Sequence, residues 1–152
     1  MKIAIACDHG AYDNKEQLKR KLIQEGYEIE DFGCFSADSV DYPKMAYPCA
    51  KAVSEGRADR GIVLCGTGIG VSIVANKVRG IRCAHVHDPQ SARLTREHND
   101  SNMLAMGGRI LSQPQIEEIA EIWLKTPFSN EERHQRRIAM IAQIEEGTFD
   151  AE

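Results

Sequence analysis

Short apolar runs alternate with longer amphipathic segments along most of the chain. Five of these runs have the length and the aliphatic composition that are typical of strands. They span Lys2–Cys7, Tyr27–Phe32, Arg60–Cys65, Ile81–Val86 and Met103–Met106. Because strands that alternate with helices favour a parallel sheet with helices on both faces, the pattern predicts an α/β fold.

Turn residues mark the helices between these strands. Gly26 ends a first helix whose apolar face holds Leu18, Leu22 and Ile23, and Gly56 ends a second helix. The second helix is expected to begin after Pro43, and further helices are expected to begin inside Gly66–Gly70, near Pro89 or Ser91, near Gln113 and near Asn130. The prediction is a three-layer α/β/α sandwich with a Rossmann-like five-stranded parallel sheet and an extra C-terminal helix.

Composition narrows the class of protein. The 152 residues suit one domain, 1–152, and 42% apolar with 28% charged residues is typical of soluble proteins. The net charge is −4 and no basic stripe is present, so nucleic acid is not an expected partner. The apolar run at the N-terminus is too short for a signal or membrane-spanning helix, which predicts a cytoplasmic protein without a membrane partner.

Cysteines and histidines are the residues that could form disulfides or bind a metal. Five scattered cysteines without a C-x-x-C pair argue against a disulfide framework and a zinc site, so free thiols are expected. His85 and His87 alternate at a strand end, but no third ligand stands at a convincing spacing. No metal and no cofactor are expected.

Ligands of doubly wound sheets bind beyond the carboxyl ends of the strands, and the turns at those ends carry the reactive residue types. Gly66, Gly68 and Gly70 follow the third strand and open a helix, an arrangement that can hold a phosphate or the oxyanion of an intermediate. The alternative is a tight turn without a ligand. The loop matches neither a P-loop nor a dinucleotide fingerprint, and Val71 stands where a cysteine phosphatase needs arginine.

Cys65 lies at the mouth of this glycine loop. A nearby helix start favours a thiolate there, which can act as a base or a nucleophile, whereas the alternative is a packed core cysteine. Asp8 and His9 can bind sugar hydroxyls, although Asp8 could simply cap a turn. His98 is a candidate acid or base, and Asn99 offers both a donor and an acceptor.

Two arginines of the last helix form a candidate phosphate site. Arg133 and Arg137 are four residues apart, so their side chains project from one helix face. Ion pairs with Glu131 and Glu132 are the competing explanation.

The motifs together are similar to those of one known family. They are Asp8-His9-Gly10, Asp41-Tyr42-Pro43, Cys65-Gly66-Thr67-Gly68-Ile69-Gly70, Ala75-Asn76-Lys77, His98-Asn99-Asp100 and Arg133-His134-Gln135. In this order, over roughly positions 1 to 145, the chain resembles the ribose-5-phosphate isomerase B family, which is related to the galactose-6-phosphate isomerase subunits.

The resemblance implies roles for individual residues. Cys65 corresponds to the base that moves the proton, Thr67 to the hydroxyl that assists it, and His98 to the acid and base of ring opening. The residues implied in substrate binding are Asp8, His9, Tyr42, Gly66, Gly68, Ile69, Gly70, Asn99, Arg109, Arg133 and Arg137. It also implies homodimers with sites shared between subunits, and leaves tetramers open.

The expected reaction is the interconversion of ribose 5-phosphate and ribulose 5-phosphate through an enediolate, a step of the pentose phosphate pathway. The alternatives are a six-carbon substrate such as galactose 6-phosphate or allose 6-phosphate, a cysteine-dependent phosphatase, and a non-catalytic sugar-phosphate sensor.

Overall fold

The sheet forms because five β-rich segments place alternate aliphatic side chains on its two faces. The computed structural model describes residues 1–152. The strands are β1 (Lys2–Cys7), β2 (Glu28–Asp31), β3 (Arg60–Cys65), β4 (Cys83–His85) and β5 (Met103–Gly107). All pairs are parallel and the spatial order is β2-β1-β3-β5-β4, which confirms the predicted parallel α/β sheet.

Six helices surround this sheet. They are α1 (Tyr12–Gln24), α2 (Tyr42–Ser54), α3 (Ile69–Asn76), α4 (Pro89–Asn99), α5 (Gln113–Lys125) and α6 (Glu132–Glu146). Side chains of α1, α4 and α5 form one core with Ile3 and Ile5, whereas α2 and α3 form a second core with Ala4 and Ala6. Alternate β1 residues therefore face opposite helix layers, as the pleat of a strand requires.

The two edge strands are shorter than predicted. β2 pairs only with β1, and β4 pairs only with β5 over three positions. An edge strand is regular only where its single neighbour reaches, so the apolar pattern over Ile81–Val86 extends beyond the ladder. α4 begins at Pro89 and α5 begins at Gln113, as expected. The starts predicted for α2, α3 and α6 agree with the structure within two residues.

The prediction that Ile23 belongs to the apolar face of α1 is wrong. Ile23 is 54% exposed, whereas Lys15, Leu18 and Leu22 are buried. Residue 23 is rotated by about 100° from residue 22 around the helix, which turns its side chain away from the sheet. No helix of the protein combines the length and the apolar character needed to cross a bilayer.

Candidate active site

The glycine loop between β3 and α3 leaves several backbone amides without an acceptor. The Gly68 amide donates to Cys65 Sγ at 3.1 Å, and the Ile69 amide donates to Thr67 Oγ1 at 3.2 Å. The amides of Gly66, Thr67 and Gly70 have no acceptor within the chain. At the start of a helix such N–H groups attract negative charge, so the loop can hold an anion.

Tyr42 covers one side of this loop. A β-carbon added to Gly70 would lie 2.8 Å from Tyr42 Cζ, closer than real contacts allow. The ring can rest on the loop only because residue 70 has no side chain. Tyr42 begins α2 and is 40% exposed, so part of the residue remains accessible to solvent.

Cys65 is the last residue of β3 and is 5% exposed. It belongs to the core on the α2 and α3 side of the sheet, and its sulfur faces the Gly68 amide. Both alternatives that the sequence allows are therefore present. The Cys65 side chain is packed against apolar residues, and its sulfur also contacts the glycine loop.

The turn after β1 holds Asp8 and His9. Asp8 Oδ1 accepts a hydrogen bond from the Gly10 amide at 2.9 Å, so the capping role named as the alternative for Asp8 is present. His9 Nδ1 accepts from the Val40 amide at 3.2 Å, which places the proton of the neutral ring on Nε2. Both residues line a cleft of about 620 Å³ that also contains Tyr42.

Arg109 connects the turns after β1 and β3. Its guanidinium carbon lies 3.4 Å from the position of a β-carbon on Gly10, and its side chain packs equally closely against Gly66. The Arg109 amide donates to the Gly66 carbonyl at 2.9 Å. Its side chain is exposed and makes no ion pair, so the positive charge is available to an anionic ligand.

His98, Asn99 and the two α6 arginines lie elsewhere. α4 runs from the carboxyl edge of the sheet to the opposite edge, where the Asn99 carbonyl accepts from Arg82, just before β4. His98 and Asn99 line a cleft beside β4 that also contains His85 but neither Cys65 nor a residue of the glycine loop. Within one chain the predicted site residues therefore form two groups. The first group contains Asp8, His9, Tyr42, Cys65, Thr67, the loop glycines, Ile69 and Arg109, and the second contains His98, Asn99, Arg133 and Arg137.

The second group is organised by a histidine pair. The rings of His98 and His134 stack with centroids 4.3 Å apart and planes 18° apart. Burial, followed by the neighbouring His98, lowers the pKa of His134, and its Nε2 has no hydrogen-bond partner. Arg133 Nε pairs with Glu131 at 2.8 Å, so the competing ion pair exists for Arg133, whereas Arg137 is exposed and unpaired.

Two histidines of these regions are contact residues that the sequence does not indicate. His134 occurs within a recognised motif, but its stacking on His98 joins α4 and α6 and has no local signal. The alternation of His85 with His87 suggests only a metal ligand, yet the Nε2 of His85 lies 2.8 Å from the Thr67 carbonyl oxygen. Both contacts bridge distant segments, which residue spacing does not reveal.

The fold and the first group define a class, that of doubly wound α/β enzymes with an anion-binding loop at the carboxyl edge of the sheet. Within this class, residues 3–141 match the model of the Ribose/Galactose Isomerase family, and the chain belongs to that family. This confirms the family expected from the motifs, and with it an isomerase of the aldose–ketose type.

Individual relatives agree over nearly the whole chain. Ribose-5-phosphate isomerase B of Escherichia coli is 41% identical, with 95% of this chain and 97% of the relative covered. Galactose-6-phosphate isomerase subunit LacB of Clostridium acetobutylicum is 37% identical, with 95% and 83% covered. The structure of Clostridium thermocellum ribose-5-phosphate isomerase B has a TM-score of 0.95 at 46% identity, with 97% of this chain and 99% of that chain covered.

Proposed function

We propose that the protein interconverts ribose 5-phosphate and ribulose 5-phosphate, with Cys65 as the base. The observation that carries this proposal is the position of the Cys65 sulfur, 3.1 Å from the Gly68 amide and beside three loop amides without acceptors. A base next to a cluster of free N–H groups is the arrangement that proton transfer beside a carbonyl requires. The names of the Escherichia coli and Clostridium thermocellum relatives support ribose 5-phosphate as the substrate.

The isomerisation moves one proton between neighbouring carbons. The Cys65 thiolate removes the proton from C2, and the electron pair of the C–H bond moves toward C1, leaving the negative charge on O1. The amides of Gly66, Thr67 and Gly70 stabilise this enediolate oxygen. Return of the proton to C1, with transfer of the O2 proton to O1, gives the ketose. Thr67 Oγ1 accepts from Ile69, which leaves its own hydroxyl proton free to assist.

Ring opening and phosphate binding use the remaining predicted residues. His98 acts as the acid and base that moves a proton from the O1 hydroxyl to the ring oxygen while the C1–O4 bond breaks. Asp8, His9 and Tyr42 bind sugar hydroxyls. Arg109 has an unpaired guanidinium that can bind the phosphate. Arg137, Arg133 and Asn99 provide the remaining contacts to anionic groups of the substrate.

These assignments require two chains, so we propose a homodimer of single-domain subunits 1–152. One subunit supplies Cys65 and the glycine loop, and its partner supplies His98, Asn99 and the α6 arginines. The position of the two groups in different clefts supports this, as do exposed isoleucines on α3 and α6, among them Ile73 and Ile144. Five unpaired cysteines are in keeping with the reducing cytoplasm, where we place the enzyme.

Isotope exchange tests the reaction. We expect the purified protein in D₂O to convert ribose 5-phosphate to ribulose 5-phosphate with deuterium at C1, followed by NMR. Cys65→Ala should lower kcat on the order of a hundredfold to ten-thousandfold with little change in KM. The control is the thermal unfolding midpoint of the variant, which should remain close to that of the wild type.

Other outcomes separate the alternatives. Faster turnover of galactose 6-phosphate or allose 6-phosphate in parallel incubations would assign a six-carbon substrate. Release of inorganic phosphate would indicate a phosphatase, and binding without exchange would indicate a sensor. Wild-type turnover in the Cys65→Ala variant would remove Cys65 from the role of base.

A further inference from the structure

His85 contacts the glycine loop from the edge strand and takes no part in the steps above. It is the last residue of β4, where its backbone is held by pairing with Ala105 of β5. Its Nε2 lies 2.8 Å from the Thr67 carbonyl oxygen. Since a carbonyl oxygen can only accept a hydrogen bond, His85 is the donor and its Nε2 carries a proton.

The Thr67 carbonyl and the Gly68 amide belong to the same peptide group. Its oxygen accepts from His85 at 2.8 Å, and its N–H donates to Cys65 Sγ at 3.1 Å. A peptide group is planar, so fixing its oxygen also fixes the direction of its N–H. Hydrogen bonds in such a chain polarise one another, and the His85 bond therefore strengthens the N–H bond to sulfur.

Packing holds the imidazole in this position. A β-carbon on Gly68 would lie 2.7 Å from His85 Nε2, so the ring sits directly against a residue whose φ is +79°. The His87 ring meets His85 edge-on, with centroids 4.3 Å apart and planes 67° apart. Burial lowers the pKa of His85, which favours the neutral ring near neutral pH.

We propose that His85 is a positioning residue for Cys65, which orients and polarises the Thr67–Gly68 peptide group so that its N–H stabilises the Cys65 thiolate. The inference rests on the proposed role of Cys65 as the base. It assigns His85 a function through the backbone, without contact with the reacting carbons. The residue thereby acts on proton transfer and leaves substrate binding nearly unchanged.

A matched pair of amide variants tests this assignment. The amide nitrogen of His85→Gln reaches the place of Nε2, whereas that of His85→Asn is one methylene too short. We expect His85→Asn and His85→Leu to lower kcat about threefold to tenfold, the effect of losing one hydrogen bond, with KM nearly unchanged. His85→Gln should keep kcat close to that of the wild type.

The reactivity of the thiol provides a readout that is independent of turnover. We expect iodoacetamide to modify Cys65 about threefold to tenfold more slowly at neutral pH in His85→Asn than in the wild type or in His85→Gln, measured by mass spectrometry of the Cys65 peptide. Thermal unfolding of each variant shows whether the fold is intact, and the two amide variants decide the matter if His85→Leu does not fold.

The His85 variants test the positioning role, whereas Cys65→Ala tests the proposed base. Equal kcat and equal alkylation rates in His85→Asn and wild type would overturn the role of His85 while the loss of activity in Cys65→Ala still supports the base. A His85→Gln variant as impaired as His85→Asn would also overturn it. Full activity of Cys65→Ala would instead refute the proposed function.

Discussion

Lys15 lies in the protein interior, which is unusual for a lysine. Its ammonium group donates to both Asp31 carboxylate oxygens at 2.8 Å and to the Cys34 carbonyl at 2.7 Å. Burial by itself would raise the pKa of Asp31, but hydrogen bonds from Lys15 and Lys19 and from the Gly33 amide hold it below the ordinary value. The pair joins α1 to β2.

Removing the Asp31 charge should destabilise the fold because the buried Lys15 then keeps only Glu16, 3.1 Å away, as a carboxylate partner. We expect Asp31→Asn to lower the free energy of unfolding by about 2 kcal/mol at neutral pH, the effect of losing hydrogen bonds between charged groups, measured by urea denaturation. Glu121→Gln is the control, since Glu121 pairs with Lys125 on the exposed surface and should change stability little. Equal effects of the two variants would contradict a structural role for the buried pair.

The effect of Asp31→Asn should depend on pH in one direction. Asp31 has a lower pKa in the folded than in the unfolded chain, so protons bind preferentially to the unfolded chain. Its contribution is complete above the unfolded value of about 4 and is lost as the pH falls through the folded value. The stability difference between wild type and variant should therefore shrink below about pH 4.

At the scale of the elements, local sequence explains where the helices begin. Ser112 and Gln115 form a capping box at the start of α5, in which Ser112 Oγ accepts from the Gln115 amide at 3.4 Å and Gln115 Oε1 accepts from the Ser112 amide at 2.8 Å. Pro114 occupies the first turn, where no N–H bond is lost. α5 then buries Trp123 against the sheet, so a correct start places a large core side chain.

Loss of this cap should be measurable. We expect Ser112→Ala to lower the free energy of unfolding by about 1 kcal/mol in urea denaturation. Asp41→Ala is the matched control, because Asp41 precedes α2 and makes no side-chain capping bond. A loss in Asp41→Ala as large as that in Ser112→Ala would show that the capping box does not stabilise α5.

Local sequence does not predict where α6 lies relative to the site. The periodicity of α6 predicts a helix, and Arg133 and Arg137 do share one face, yet nothing local indicates that α6 packs against α4. The contact depends on the loop after α5 and on the stacking of His98 with His134. Elements distant in sequence meet here, so only the folded chain reveals the neighbours.

At the scale of the whole molecule, the two groups of site residues determine what assembly the proposed reaction needs. If the partner completes each site, a heterodimer of Cys65→Ala and His98→Asn subunits contains one intact site and one doubly defective site. We expect the doubly tagged heterodimer, isolated after co-expression, to regain about half of wild-type turnover, as two-fold symmetry requires. Each variant homodimer is the control and should be nearly inactive.

A site formed within one chain predicts the opposite. Every site of the heterodimer would then carry one defect, and its activity would stay at the level of the separate variants. A mass of one subunit in sedimentation of the wild type would contradict the dimer itself. The experiment therefore distinguishes a shared site from an enlarged single-chain site.

The sequence by itself determined the succession of strands and helices along the chain, the parallel sheet, the family and the glycine loop beside Cys65. These features follow from periodicity and from motifs whose residues are neighbours in the chain, so short-range rules suffice. The same rules placed Ile23 in the core incorrectly, because a single apolar residue at the end of a helix does not reveal which face the sheet covers.

Only the tertiary structure decided which reactive residues meet. It separated His98 and Arg137 from Cys65, brought His85 to the Thr67 carbonyl, and buried Lys15 beside Asp31. The physical reason is that these contacts depend on the strand order and on the direction in which each helix crosses the sheet. Both are set by packing among distant segments, to which the local pattern of residues is insensitive.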